Sequence, residues 1–375
     1  MKILFTGGGS GGHFYPVIAV AEALNDVVRD KKILEPQLFY AAPDPYDREM
    51  LLAVGITFVP TAAGKVRNYF SILNFFDLFK TAWGVLRSVL RIFFLYPDVV
   101  FGTGGYTSFP TLLAARLFRI PVILYATDAE PSRVNKWAGR FAQKIAISFP
   151  EAAKHFPKEK VAFTGNPVRK ALLFPAREGA FEYLKFTRDL PVILVTGASQ
   201  GSQTLNDVVL AALPQLLEKY QVVHQTGTEN IKEIEGRAGV VLKESLHAER
   251  YKSFGYLNDL AMRMSAGAAS LVVARAGAGT IFEIATWGLP SILIPIPEPL
   301  SHDQSKNAYA YARAGGCVVI EQNNLTPKLL ISEVERILGN ENLKRSMQTA
   351  ARGFARADAA KVIAESILDI ALSHE

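Results

Sequence analysis

Apolar positions along this chain fall into short continuous runs, each followed by glycines and then by a longer amphipathic stretch. In the first half the runs are Lys2–Thr6, Gln37–Ala41, Val99–Gly102, Val122–Tyr125, Lys144–Ser148 and Lys160–Phe163. In the second they are Val192–Thr196, Gln221–Thr226, Tyr251–Tyr256, Leu271–Ala274 and Ser291–Ile294. A run such as Val192-Ile-Leu-Val195 has no polar alternation, so it reads as a strand covered on both faces. Strands alternating with helices of about 10 to 15 residues predict right-handed βαβ units and parallel sheets. The expected class is α/β.

The same plan appears twice, which predicts two domains. A boundary is placed near Gly165-Asn-Pro-Val168, giving domains at 1–165 and 166–355. Residues 356–375 contain an amphipathic stretch, Asp358–Leu372, read as a terminal helix packing back on the first domain. Ligands of such sheets bind beyond the carboxyl ends of the strands, so two facing sheets would share a cleft.

The glycine turns carry the candidate chemistry. The first, Gly7-Gly-Gly-Ser10-Gly11-Gly12-His13, follows a strand and opens a helix. Amides at that point suit a diphosphate or a developing anion. No Lys-Ser/Thr follows, so it is not a Walker A loop. His13 reads either as a helix-start cap or as an acid–base group. The second, Thr196-Gly-Ala-Ser199-Gln200-Gly201, adds side-chain donors, with Asn206 expected to face the same cleft. The third, Arg275-Ala-Gly-Ala278-Gly279-Thr280, offers first-turn amides to a phosphate. Glu283 lies one turn deeper, as a ribose-binding carboxylate or a helix-dipole acid. Asp303, Gln304 and Asn307 follow on adjoining turns, suited to sugar hydroxyls or to a solvated helix start. A fourth turn, Gly102-Thr-Gly-Gly-Tyr106, belongs to the first domain.

Charge changes the picture in one place. The 375 residues carry a net +6, and the whole excess lies in residues 1–165. Lys and Arg are scattered there, which favours an anionic lipid surface over a nucleic-acid stripe. Within residues 64–96, Lys65, Arg67, Lys80, Arg87 and Arg91 face the single acid Asp77, among Phe75, Phe76, Phe79 and Trp83. A core helix explains the aromatics; an interfacial patch explains the aromatics and the bases together. The lone Cys317 fits a reducing compartment. No apolar window reaches the length of a membrane span, and no metal-ligand spacing is present, so neither a metal nor a cofactor is expected.

Taken together, Gly8-Gly-Ser-Gly-Gly-His13, Gly102-Thr-Gly-Gly-Tyr106, Gly165-Asn-Pro-Val-Arg169, Gly197-Ala-Ser-Gln-Gly201 with Asn206, Arg275-Ala-Gly-Ala278 with Glu283, and Gln304-x-x-Asn-Ala308 resemble the MurG family over nearly the full length. These are bacterial N-acetylglucosaminyltransferases that convert lipid I to lipid II in peptidoglycan synthesis. The resemblance implies a GT-B fold, two Rossmann-like domains around a cleft. It implies that the second domain holds UDP-N-acetylglucosamine. Glu283 would meet the ribose, Ser199 and the Ala278–Thr280 amides the diphosphate, Gln304 and Asp303 the sugar, and backbone near Leu257 the uracil. In the first domain Ser10, His13 and Tyr106 would meet the lipid-linked muramyl acceptor, and Arg169 would act at the hinge. The protein would be cytoplasmic, peripheral on the inner face of the cell membrane through residues 64–96. One departure stands out: where the family carries His-Glu-Gln-Asn, this chain reads Tyr125-Ala-Thr-Asp128.

The implied chemistry is inverting transfer to the muramyl 4-hydroxyl, with His13 and then Asp128 as candidate bases. A glycolipid transferase acting on diacylglycerol would use the same donor domain. A nicotinamide oxidoreductase would need a ribose-binding acid that the first unit lacks. A non-catalytic membrane-recruiting subunit would have no use for donor and acceptor motifs in one chain.

Overall fold

In a computed structural model the structure describes residues 1–64, 73–197, 201–297 and 304–374, without the side chains of 73–80 and 374. The chain forms two compact units, Met1–Arg169 with Arg356–Glu375, and Lys170–Ala355.

Among the described residues the first unit is a seven-stranded parallel sheet in the order β3-β2-β1-β4-β5-β6-β7. The strands are β1 (Lys2–Thr6), β2 (Gln37–Ala42), β3 (Ile56–Pro60), β4 (Val99–Gly102), β5 (Val122–Ala126), β6 (Lys144–Ile147) and β7 (Val161–Phe163). Its helices are α1 (Gly11–Asp30), α2 (Arg48–Ala53), α3 (Leu73–Leu95), α4 (Phe109–Leu117) and α5 (Arg133–Ala138). Successive side chains of a strand point to opposite faces, and both faces here are covered. Ile3 and Phe5 of β1 enter one core cluster with Phe14, Val17 and Leu24 of α1. Leu4 enters the other with Ile92 of α3 and Leu112 of α4. Each such side chain removed from water contributes about 1.5–3 kcal/mol, and Ile3, Leu4 and Phe5 are all buried.

The second unit repeats the plan with six parallel strands ordered β10-β9-β8-β11-β12-β13 among the described residues. They are β8 (Val192–Thr196), β9 (Gln221–Gln225), β10 (Tyr251–Phe254), β11 (Ala269–Ala274), β12 (Ser291–Leu293) and β13 (Cys317–Val319). The helices are α6 (Ala180–Leu184), α7 (Gln203–Lys219), α8 (Ile231–Val241), α9 (Asp259–Ala268), α10 (Ala278–Trp287), α11 (Gln304–Arg313), α12 (Pro327–Leu338) and α13 (Glu341–Phe354). Ile193 and Val195 pack against Leu205, Val209 and Leu213 of α7. The chain then returns to the first unit as α14 (Ala359–His374), which lies on α1. Ile363, Ile367, Leu368 and Ala371 of α14 complete the cluster around Ile3 and Phe5.

The segment read as an interfacial patch is a helix from Leu73. Residues 65–72 and the side chains of 73–80 lie outside the described residues, and with them Lys65, Arg67, Phe75, Phe76, Asp77, Phe79 and Lys80. The rest of α3 has two apolar faces. Ser88 and Ile92 are buried against the unit, and α4 packs alongside. Trp83, Leu86, Leu90, Phe93 and Phe94 are exposed, Phe94 at 80%. Arg87 places its guanidinium 5.8 Å from the Trp83 ring centre. Arg91 is half-buried, with its Nη1 closed to solvent. No helix among the described residues is long and apolar enough to cross a membrane.

Candidate functional site

All strands of each sheet run parallel, so their carboxyl ends gather the connecting loops on one edge. In the first unit the loops after β1, β4 and β5 meet there. Gly7, with φ 150°, approaches Thr103 so closely that a Cβ would lie 1.9 Å from the Thr103 hydroxyl. That contact excludes any side chain and lets the two loops lock. The Thr103 hydroxyl donates to the His13 carbonyl at 3.1 Å, and the Thr107 hydroxyl donates to the Gly8 carbonyl at 3.2 Å.

His13 Nδ1 lies 3.0 Å from the Thr103 carbonyl. A carbonyl only accepts, so Nδ1 carries the hydrogen and Nε2 keeps its lone pair. Burial lowers the His13 pKa below its ordinary value of 6.5, opposed by the charge of Asp128 and by the Thr103 bond. The imidazole is therefore neutral near pH 7 and able to accept a proton. Asp128 follows β5, and its carboxylate accepts from the Thr127 hydroxyl at 2.6 Å. Ser10 is exposed, caps α1 without a side-chain bond, and precedes Gly11 and Gly12. The amides of Gly11 and Gly12 have no acceptor among the described residues. Tyr106 is 37% exposed beside Gly9. Ser10, Gly11, Gly12, His13, Tyr106 and Asp128 thus share one edge of one sheet. Arg169 is 7% exposed, with its guanidinium stacked 4.4 Å from the Tyr15 ring centre.

In the second unit the corresponding edge gathers the loops after β8, β9, β10, β11 and β12. Ala278, Gly279 and Thr280 open α10, and their amides have no acceptor among the described residues. A Cβ on Gly279 would meet no described atom within 4 Å. Such a terminus attracts an anion through its amides and its dipole. Glu283 is half-buried one turn further along α10. The Gln304 carbonyl oxygen accepts from the Ala276 and Ile296 amides at 3.2 and 3.1 Å. This fixes Gln304 and leaves its NH2 to donate. Leu257 is buried just before α9. Ser199, Gln200 and Asp303 lie outside the described residues.

Two of the candidate residues, Arg275 and Asn206, bond to other groups of the protein. Arg275 donates to Ser202 Oγ, to the Ile294 carbonyl at 3.0 Å and to Gln322 Oε1 at 2.7 Å. It clamps the loop after β8 to the loop after β11, and burial lowers its pKa to about 10. Asn206, expected to face the cleft, is fully buried. Its NH2 donates to the Thr226 carbonyl at 3.0 Å, and its Oδ1 lies 3.0 Å from His224 Nε2. His224 Nδ1 in turn accepts from the Tyr251 hydroxyl at 3.0 Å. The relay Asn206–His224–Tyr251 ties α7 to β9 and β10 and so supports the loop between β8 and α7. Gly201, with φ 73°, closes that loop, where a Cβ would lie 2.0 Å from the Thr226 carbonyl. Sequence reading did not find Thr103, His224, Tyr251 or Gln322, whose roles rest on long-range pairing.

Comparison with known proteins agrees with this geometry. Residues 3–147 match the glycosyltransferase family 28 N-terminal domain, and residues 192–363 match its C-terminal domain. A protein of Bacillus cereus ATCC 14579, named UDP-N-acetylglucosamine--N-acetylmuramyl-(pentapeptide) pyrophosphoryl-undecaprenol N-acetylglucosamine transferase 2, is 37% identical, covering 98% of this chain and 99% of its own. A transferase of Treponema denticola with the same name, unnumbered, is 34% identical over 93% of both chains. Among solved structures, Acinetobacter baumannii MurG superposes with a TM-score of 0.72 at 24% identity, over 98% of this chain and 99% of that one. UDP-GlcNAc 2-epimerase from Neisseria meningitidis superposes with a TM-score of 0.68 at 15% identity, over 98% of this chain and all of that one. The fold is GT-B, and since that epimerase shares it, fold alone does not choose the reaction. The sequence relationship does choose the family: this chain belongs to the UDP-N-acetylglucosamine--N-acetylmuramyl-(pentapeptide) pyrophosphoryl-undecaprenol N-acetylglucosamine transferases, the MurG family.

Proposed function

We propose that this chain transfers N-acetylglucosamine from UDP-N-acetylglucosamine to the muramyl 4-hydroxyl of lipid I, forming lipid II with inversion at the anomeric carbon. The observation that carries the reading is the presence, in one family member, of two open helix termini of different character. One, at Ala278–Thr280, has a carboxylate one turn away at Glu283; the other, at Ser10–Gly12, has the neutral His13.

Each terminus has a separate task in this reaction. The acceptor's diphosphate rests on Ser10 and the Gly11 and Gly12 amides, with Tyr106 alongside. His13 Nε2 takes the proton from the 4-hydroxyl as its oxygen attacks the anomeric carbon. The Asp128 charge stabilises the imidazolium that forms. The bond from the anomeric carbon to the UDP oxygen breaks, and the amides of Ala278, Gly279 and Thr280 donate hydrogen bonds to the departing diphosphate. Glu283 holds the ribose hydroxyls, Leu257 backbone the uracil, and the Gln304 NH2 a sugar hydroxyl. Asn206 and Arg275 act through the loops they brace, and Arg169 holds the end of the first unit against Tyr15. Ser199, Gln200 and Asp303 complete the donor side.

The exposed side of α3 supports a membrane-bound acceptor. Trp83, Leu86, Leu90, Phe93 and Phe94, with Arg87 among them, make an apolar face with a cationic member, suited to an anionic bilayer surface. The test of the reaction is transfer from radiolabelled UDP-N-acetylglucosamine to synthetic lipid I, with diacylglycerol as the parallel acceptor. Label in the lipid I product is expected. Label in diacylglycerol alone, or in neither, overturns the acceptor assignment.

A further inference from the structure

Residues 43–47 join β2 to α2. Because β2 pairs in parallel with β1, this loop leaves the same edge of the sheet as the glycine loop that opens α1. Tyr46 stands in it at φ 57°, a backbone conformation that bulky side chains rarely adopt. The Tyr46 amide donates to Asp44 Oδ1 at 2.7 Å, which pins the turn. Its ring packs on Phe14 with 4.9 Å between centres, and edge-on against Tyr15 at 5.8 Å. Both partners lie in the first turns of α1. Arg169 stacks on Tyr15, so a cation belongs to the same cluster. A ring held this firmly for packing alone would be covered, yet Tyr46 is 37% exposed.

The hydroxyl is the informative end. A Cβ on Gly11 would lie 2.9 Å from the Tyr46 hydroxyl oxygen and 2.8 Å from the Tyr15 ring, so a side chain at residue 11 would displace one ring or both. Covalent geometry separates an amide nitrogen from its own Cβ by about 2.5 Å, which puts the Tyr46 hydroxyl no more than about 5.4 Å from the Gly11 nitrogen. Two donors that close can share one acceptor oxygen. At the other end of the glycine loop, a Cβ on Gly9 would lie 3.7 Å from the Tyr106 hydroxyl. Two phenols therefore border the loop on which the acceptor's diphosphate rests in the reaction proposed above. We propose that the Tyr46 hydroxyl donates a hydrogen bond to that diphosphate, sharing an oxygen with the Gly11 amide. The inference rests on that reaction and adds to it a residue from a loop without glycines. A phenol suits the task, since its packed ring fixes the donor before the substrate arrives.

Tyr46→Phe keeps the ring and its packing and removes the donor. In the full-length chain it should raise the Michaelis constant for lipid I by about tenfold, the loss of one hydrogen bond to a charged group. The constant for UDP-N-acetylglucosamine and the thermal midpoint should not move. Packing alone predicts the reverse, an unmoved lipid I constant or a lowered midpoint. A second assay needs no transfer: calorimetric binding of inorganic pyrophosphate to the chain saturated with UDP, which Tyr46→Phe should weaken by a similar factor. If the native chain labels lipid I and the variant's lipid I constant is unchanged, the proposal falls and the reaction stands. If the native chain makes no lipid II, the reaction falls and pyrophosphate decides alone: weaker binding in the variant upholds Tyr46 as a diphosphate donor, and equal or absent binding overturns it.

Discussion

His13 and Thr103 hold each other twice, ring nitrogen to carbonyl at 3.0 Å and hydroxyl to carbonyl at 3.1 Å, across 90 residues of sequence. The pairing fixes the tautomer that a base requires, since Nδ1–H is committed and Nε2 is left to accept. His13→Ala should lower turnover on lipid I by about 10²–10⁴-fold while the donor's Michaelis constant stays put. The pH profile carries the sharper signature. Because burial lowers the His13 pKa, the acid limb of turnover should fall below the ordinary histidine value of 6.5. Loss of that limb in the variant identifies His13 as its source; an unchanged limb passes the role to Asp128.

Glu283 lies one turn inside α10, behind the open amides of Ala278–Thr280. Removing its carboxylate leaves the helix intact and takes a charged acceptor from the ribose. Glu283→Ala should raise the donor's Michaelis constant by about tenfold or more, the size of one hydrogen bond to a charged group. Lipid I saturation should not move. Steady-state kinetics with each substrate varied in turn decides the point, and an unaltered donor constant would remove Glu283 from the site.

The loops were readable from the sequence because their glycines answer a local need, as Gly7 does against Thr103. The interior strands were readable because strands covered on both faces carry unbroken apolar runs. β3 and β13 were missed, and both are sheet edges. In β3 only Ile56 is fully buried, and the run ends in a proline; β13 has three residues. With one neighbour and partial cover, neither needs a continuous apolar signature. The Asn206–His224–Tyr251 relay was invisible for another reason: its members are 18 and 27 residues apart and meet only in the folded sheet. Arg91 shows the same limit on a helix, where spacing defines faces without saying which one meets the core.

His224 makes a prediction about acid stability. Burial pushes its pKa down to about 3 from the ordinary 6.5. Above pH 6.5 the folded and unfolded chains both hold it neutral, so it has no effect on stability there. As pH falls below 6.5 the unfolded chain takes up a proton that the folded chain refuses, and stability drops by up to about 1.4 kcal/mol per pH unit. Denaturant unfolding between pH 7 and pH 4 should show this slope in the native chain. His224→Gln, which cannot take up the proton, should flatten it while lowering stability at pH 7 through the weakened relay. An identical slope in both chains would assign the acid sensitivity elsewhere.

The outer side of α3 separates two readings of an aromatic helix. A helix that merely completes a core hides its large side chains, yet Trp83, Phe93 and Phe94 are 56%, 58% and 80% exposed. The face that does pack, through Ser88 and Ile92, is a different one. Changing Trp83, Phe93 and Phe94 to serine therefore removes apolar surface from the outside without opening a cavity, and thermal stability should be almost unchanged. Cosedimentation with vesicles containing anionic phospholipid should fall sharply, and Arg87→Gln should weaken it further, most visibly at low salt. Turnover on a water-soluble acceptor should survive both changes, while turnover on vesicle-embedded lipid I should fall with binding. A large loss of thermal stability with vesicle binding retained would return α3 to a purely structural role.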